Sequence, residues 1–266
     1  MTPHARLYGV GVLPMRTRIY LACLLGIAGT LPAAIVTAPA NALSGDLNAG
    51  NRFPFDPSYP FSSSSMRYQQ GYSSGFFTSV TTDSVWITGM RFRGDAGIGA
   101  TGETSGPFSG VISDIKIELS TTSRSADSLL STFAQNVGSD ATVVYPRGSL
   151  ALFSSDIDDG TGARLFDIII TFPTPFHYNP LLGNLLLDVT NYSGDRLTAV
   201  NWIAFDAADS SGDGISRVWA SSSGATTGTV QSLGLVTQFV TSTVPELSMA
   251  AMLGLAVFAG VARRRR

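Results

Sequence analysis

Short apolar runs punctuated by Gly, Ser, Asp and Pro recur along most of the chain. Residues 111–119 alternate most regularly. Val111, Ser113, Ile115, Ile117 and Leu119 oppose Asp114, Lys116 and Glu118, the pattern of a half-buried antiparallel strand. Residues 85–93 place Trp86, Thr88, Met90 and Phe92 on one face and Arg91 and Arg93 on the other. Further runs lie at 142–145, 150–153, 166–172, 185–190, 197–205, 215–220 and 233–240. A spacing of about 8–15 residues with turn signals between is that of an all-β sandwich. One segment reads differently. Leu129, Leu130 and Phe133 recur at helical spacing within 126–137, with Ser125 as cap and Gly138 as stop. The expectation is an antiparallel, jelly-roll-like β-sandwich of about 8–10 strands with one short helix, over residues 67–240. Trp86 and Trp202 fall inside strands and are expected in its core. Residues 43–66, rich in Ser, Pro, Asn and Phe, lack any period and read as an extended lead-in segment.

Both ends break the strand pattern. Arg16 and Arg18 precede an apolar run over 19–36, and Ala40-Asn41-Ala42 follows. A basic start, an apolar stretch and a small-x-small site make a secretory signal peptide with a signal helix, occupying residues 1–42 and cut after Ala42. Met15 is an alternative start. A lipoprotein signal at Cys23 fits poorly, because the apolar run follows that cysteine. At the other end, residues 247–262 are apolar or small apart from Ser248. As a helix they span roughly 24 Å, somewhat less than the hydrocarbon core of about 30 Å. Arg263, Arg264, Arg265 and Arg266 stop this transmembrane helix, snorkel to cover the deficit and place its end in the cytoplasm. The body is then outside.

Composition agrees with this division. The chain has 266 residues, 14% charged, with a formal net charge of −2. That charged fraction is well below the roughly 25% of ordinary soluble domains. Seven of the 17 bases sit in the two ends, whereas all 19 acids lie between Asp46 and Glu246. The small net charge is a cancellation between basic ends and an acidic body. An acidic body excludes a nucleic-acid partner held by bulk electrostatics. Cys23 is the only cysteine, so the processed chain has no disulfide and must rest on a real core.

The C-terminal segment, residues 244–266, has three parts in order: Val244-Pro245-Glu246, the apolar helix and the Arg cluster. It resembles the PEP-CTERM sorting signal, although Leu247 stands where that family's pattern has a second Pro. Met66-Arg67-Tyr68-Gln69-Gln70, Ile87-Thr88-Gly89 and Asn184-Leu185-Leu186-Leu187-Asp188-Val189 are similar to phrases of PEP-CTERM extracellular domains. The resemblance implies a β-sandwich delivered by the secretion machinery and held in the inner membrane by its C-terminal helix. An exosortase would then cut near the motif, releasing the body or transferring it to the surface of a polysaccharide-producing Gram-negative cell. It carries no catalytic residue with it. A plain C-terminal anchor is the alternative.

Chemistry is sparse. After leader removal His177 is the only histidine and no cysteine is left, which excludes Cys–His pairs and multi-histidine zinc sites. Gly71-Tyr72-Ser73-Ser74-Gly75 has the letters of a nucleophile elbow, but that motif needs a strand before it and a helix after it. The run that follows reads as strand or loop. Asp114 and Glu118 are too far apart along one strand, roughly 13 Å, for glycoside hydrolysis. Two acidic loops remain, Asp156-Ile157-Asp158-Asp159-Gly160 and residues 206–214. Asp156, Asp158 and Asp159 are candidate calcium ligands, since Asp-rich turns supply oxygens, although Asp and Gly also simply make turns. No other cofactor is expected. Arg93-Gly94-Asp95 matches an integrin tripeptide by letters alone. Tyr68, Tyr72, Tyr178, Tyr192 and Trp219 are candidates for a glycan platform. The expected function is a non-enzymatic surface or matrix protein. Alternatives are a module that binds the extracellular polysaccharide and an extracellular hydrolase.

Overall fold

Alternating β-branched and aromatic runs give strands through most of the body. The computed structural model describes residues 34–57, 64–78, 81, 84–97, 103–199 and 201–242, all within one compact unit, Leu31–Arg266. The strands are β1 (Ala34–Ala38), β2 (Ala49–Asn51), β3 (Met66–Tyr72), β4 (Val85–Phe92) and β5 (Glu103–Thr104). Next come β6 (Phe108–Thr122), β7 (Thr142–Ser154), β8 (Ile168–Tyr178), β9 (Asn184–Asn191) and β10 (Trp202–Ile203). The last are β11 (Phe205–Ala208), β12 (Ile215–Ala220), β13 (Thr229–Gln231), β14 (Gly234–Leu235) and β15 (Thr237–Ser242). A single-turn helix α1 (Gly75–Thr78) and 3-10 turns at Ala40–Ser44 and Phe133–Gln135 complete the elements.

Two antiparallel sheets carry the architecture. One is ordered β1-β15-β4-β8, the other β13-β12-β3-β9-β6-β7. Their inner faces meet in one apolar core. Tyr72 on β3 packs edge-on against Phe239 on β15, with ring centroids 4.9 Å apart. Its hydroxyl also pairs with Thr237 Oγ1 at 2.9 Å. Phe77 of α1 closes one end of the core against Tyr178 and Phe239. Each such side chain contributes about 1.5–3 kcal/mol by leaving water. A three-stranded sheet, β14-β11-β2, and a parallel pair, β10-β5, cover another end.

The all-β, antiparallel expectation holds, with more strands than expected, ranging from two-residue pairs to the 15-residue β6. Several details differ. The strands extend from Ala34 to Ser242 instead of over 67–240. The lead-in segment supplies β2 and the buried rings of Phe53 and Phe55. The helix expected over 126–137 does not form. Asn136 takes both backbone groups of Leu130, accepting its N–H and donating to its carbonyl, each at 2.8 Å. Leu129 and Phe133 instead pack on Leu186 and Val218, as a strap over the outer face of the six-stranded sheet. Two bulges reverse expected faces. The β4–β8 register shifts between Ile87 and Gly89, so Trp86 and Thr88 point outward while Met90 and Phe92 point in. The β6–β7 register shifts between Ile112 and Ile115, which exposes Val111 and buries Ile112. The expected signal helix (residues 1–33 of it) and the transmembrane helix lie outside the described residues. Among the described residues no helix is long and apolar enough to cross a membrane.

Candidate functional site

The most heavily charged buried point is built where β4 ends. The strand's last residues carry Arg93 into the interior, where its side chain is 1% exposed. Arg93 Nε donates to Asp206 Oδ2 at 2.7 Å, and Nη2 donates to the Gly45 carbonyl at 2.6 Å. The guanidinium also lies over the Phe166 ring, 4.7 Å from its centroid, and 3.8 Å from Asp159 Oδ2. Asp206, fully buried on β11, accepts the Leu47 N–H at 3.1 Å. Asp95 accepts the Gly97 N–H at 2.8 Å, while Asp46 accepts from Ala96 at 3.2 Å. Burial pushes the Asp206 carboxyl up to about 6, against the pull of Arg93. Burial also pushes Asp95 up to about 7, helped by the neighbouring Asp46 and Asp206 carboxylates and opposed by the Gly97 N–H.

This cluster ties four distant stretches together: the lead-in segment, the end of β4, β11 and the loop before β8. A Cβ at Gly50 would stand 2.0 Å from Asp95 Oδ2, so any larger residue there must displace that carboxylate. Arg93 pairs with Asp206 and Asp159, and the neighbouring Asp46 and Asp206 carboxylates help burial to raise Asp95. The arrangement is a structural clamp. Sequence reading missed it because Arg93 and Asp206 are 113 residues apart; the only local signal was a basic residue ending an apolar strand. Burial of Arg93 and Asp95 also withdraws the Arg93-Gly94-Asp95 tripeptide from any receptor.

The candidate calcium ligands occupy the loop between β7 and β8. Asp156 adopts a left-handed backbone, φ 53°, which Asp tolerates. Its Oδ1 lies 3.2 Å from Arg164 Nε. Asp158 accepts the Gly160 N–H at 2.6 Å. Asp159 accepts the Thr161 N–H and hydroxyl at 2.8 and 2.6 Å, and those bonds lower its pKa. The three carboxylates therefore face different partners. Among the described residues, no three His, Cys, Asp or Glu side chains form a group that could hold a metal ion. The second acidic loop lines a recess of about 450 Å³ with Asn41, Asp46, Asn48 and Asp213.

The other candidates separate by burial. Ser73 does sit between a strand and a helix, contrary to the expected continuation, but α1 is a single turn. The Ser73 hydroxyl caps that turn by accepting the Gly75 N–H at 3.2 Å. Asp114 is bound by both arms of Arg147 at 2.8 and 2.6 Å, and Glu118 pairs with Lys116 at 2.5 Å. Tyr68, Tyr72 and Tyr178 are core residues. Tyr192 is covered by Arg147, whose Cζ is 3.7 Å from the ring centroid. Trp202, half-buried rather than core, lies against Arg52 and Arg196. Trp219 packs at a tilt on Phe53, with ring centroids 4.9 Å apart, and lines a recess of about 380 Å³ with Thr227, Gly228 and Thr229. Trp86, turned outward by the bulge, lies against the exposed His177 at a 40° tilt, with ring centroids 4.7 Å apart.

At the termini, Ala40 is exposed and Ala42 is fully buried in the first 3-10 turn. Strand β1 precedes both, so a cut after Ala42 takes β1 away. Val244, Pro245, Glu246 and the four terminal arginines lie outside the described residues. No protein family, no characterised protein and no solved structure matches this chain.

Proposed function

We propose that this chain is an exported, non-enzymatic protein of the cell surface or extracellular (biofilm) matrix. It passes the inner membrane behind a cleaved leader. Its C-terminal helix holds it there until an exosortase cuts near Val244-Pro245-Glu246. The jelly-roll-like β-sandwich is the part delivered. The observation that carries this reading is the placement of the motif: β15 ends at Ser242, two residues before Val244, so the tail follows directly after a finished fold. Fractionation of cells with and without exosortase tests it. The expected result is a surface or medium location that depends on the exosortase. The same cytoplasmic location in both strains would refute it.

A second reading is favoured by the Trp86–His177 pair. A half-buried indole beside an exposed imidazole on the outer sheet face suits the apolar face of a sugar, and the body would then bind the cell's own polysaccharide. Trp86→Ala is expected to lower that binding at least tenfold without changing the fold, measured by affinity electrophoresis in the polysaccharide and by circular dichroism.

A further inference from the structure

Strand β1 holds a place that processing would vacate. It pairs with β15 along its whole length, from Ala34 opposite Thr241 to Ala38 opposite Thr237. Thr241 Oγ1 donates to the Ala34 carbonyl at 3.0 Å, and Gln238 Nε2 donates to Thr37 Oγ1 at 3.3 Å. Val36 and Ala38 point into the core at 2% and 0% exposure, and β1 also touches α1. A cut after Ala42 removes this strand with the leader. β15 then becomes an edge strand. Native edges are blunted by charge, proline or bulges that turn them away. β15 reads Thr-Gln-Phe-Val-Thr-Ser, with no charge and no proline. Its one register shift faces β4, not β1.

We infer that leader removal opens a strand-accepting groove along β15, and that the groove takes an extended, uncharged peptide segment from another polypeptide. The seat defines the partner's chemistry. Backbone groups of β15 supply the ladder, and two side chains two residues apart enter the core where Val36 and Ala38 sat. The first fits a Val-sized group, and the second a residue no larger than Ala. This is strand addition to a sheet edge, in which main-chain hydrogen bonds give affinity and alternate pockets give specificity. A surface protein with such an edge can be joined to a matrix partner without any catalytic step. The inference rests on the proposed export, because only the exported chain loses its leader.

The test uses the protein purified from its own cells and a synthetic peptide of residues 31–40, Leu-Pro-Ala-Ala-Ile-Val-Thr-Ala-Pro-Ala. N-terminal sequencing comes first, then calorimetric titration and light scattering. The expected result is a chain starting at Leu43 that binds one peptide per chain. The Val36→Asp peptide should bind on the order of a hundredfold more weakly, and the Ala38→Trp peptide should not bind. A chain starting at Leu43 that ignores the native peptide overturns the inference and leaves export standing. So does a chain starting at or before Ala34, whose groove is filled by its own β1. A chain starting at Leu43 whose groove is closed by a second copy shows as a dimer that the peptide splits, which supports the groove. A chain found uncut inside the cell overturns the export reading and the groove together.

Discussion

Asp95 offers the sharpest test of the buried clamp. Its carboxyl is 3% exposed, and burial raises it from an ordinary 3.8 to about 7. The folded protein therefore keeps a proton that the unfolded chain releases. A raised acid contributes stability that is fully present below the unfolded value and lost as pH rises through the folded one. At 1.36 kcal/mol per pKa unit, Asp95 costs the fold about 3 kcal/mol between pH 4.5 and pH 8. Asp95→Asn imitates the protonated carboxyl. Its Oδ1 still accepts the Gly97 N–H, and its Nδ2 donates to Asp46. For a body of this size, about 3 kcal/mol is roughly 6–12 °C in Tm. The assay is thermal unfolding of both proteins at pH 4.5 and pH 8. The Tm advantage of Asp95→Asn should grow by that amount from the lower pH to the higher. Asp56, raised to about 6 by burial, slopes both proteins alike and cancels in the difference, whereas the Asp206 carboxylate helps to raise Asp95 and belongs to the effect. An advantage equal at the two pH values would refute a buried, protonated Asp95.

Three further outcomes follow from the same geometry. Phe239→Ala empties the space against Tyr72 and Phe77 and should cost about 3–5 kcal/mol by urea unfolding. Arg93→Ala leaves Asp206 buried without its partner and should cost about 3–5 kcal/mol at pH 8; the loss should shrink at pH 5, where Asp206 takes up a proton. Millimolar calcium, and its removal by chelator, should leave Tm unchanged, because Asp156 faces Arg164 and Asp159 caps its own turn.

Much of the sandwich is legible in local pattern, because burial on one face imposes alternation wherever the ladder is regular. Residues 115–119, 168–172 and 237–241 follow the rule. It fails at Trp86 and at Val111, where a bulge adds a residue and turns the following side chains over; nothing in the neighbouring letters announces the shift. Leu129, Leu130 and Phe133 carry helical spacing for another reason. They cover a sheet already formed by distant strands, and Asn136 supplies bonds that a helix would have made. Ala34 to Ala38 shows a further ambiguity, since a short apolar strand and the end of a signal peptide's apolar run are written with the same residues. The clamp around Arg93 was illegible because its partners come from four separated stretches. The expected sorting signals are the opposite case: signals of that kind are read as linear sequence, so the expectation needs no fold.

The most direct test of the whole account is the intact mass of the protein purified from the surface fraction or medium of its own cells. The account predicts a chain that has lost its leader and everything beyond the Val244-Pro245-Glu246 region, including Arg263 to Arg266. A mass that still includes the apolar tail and its four arginines would contradict it.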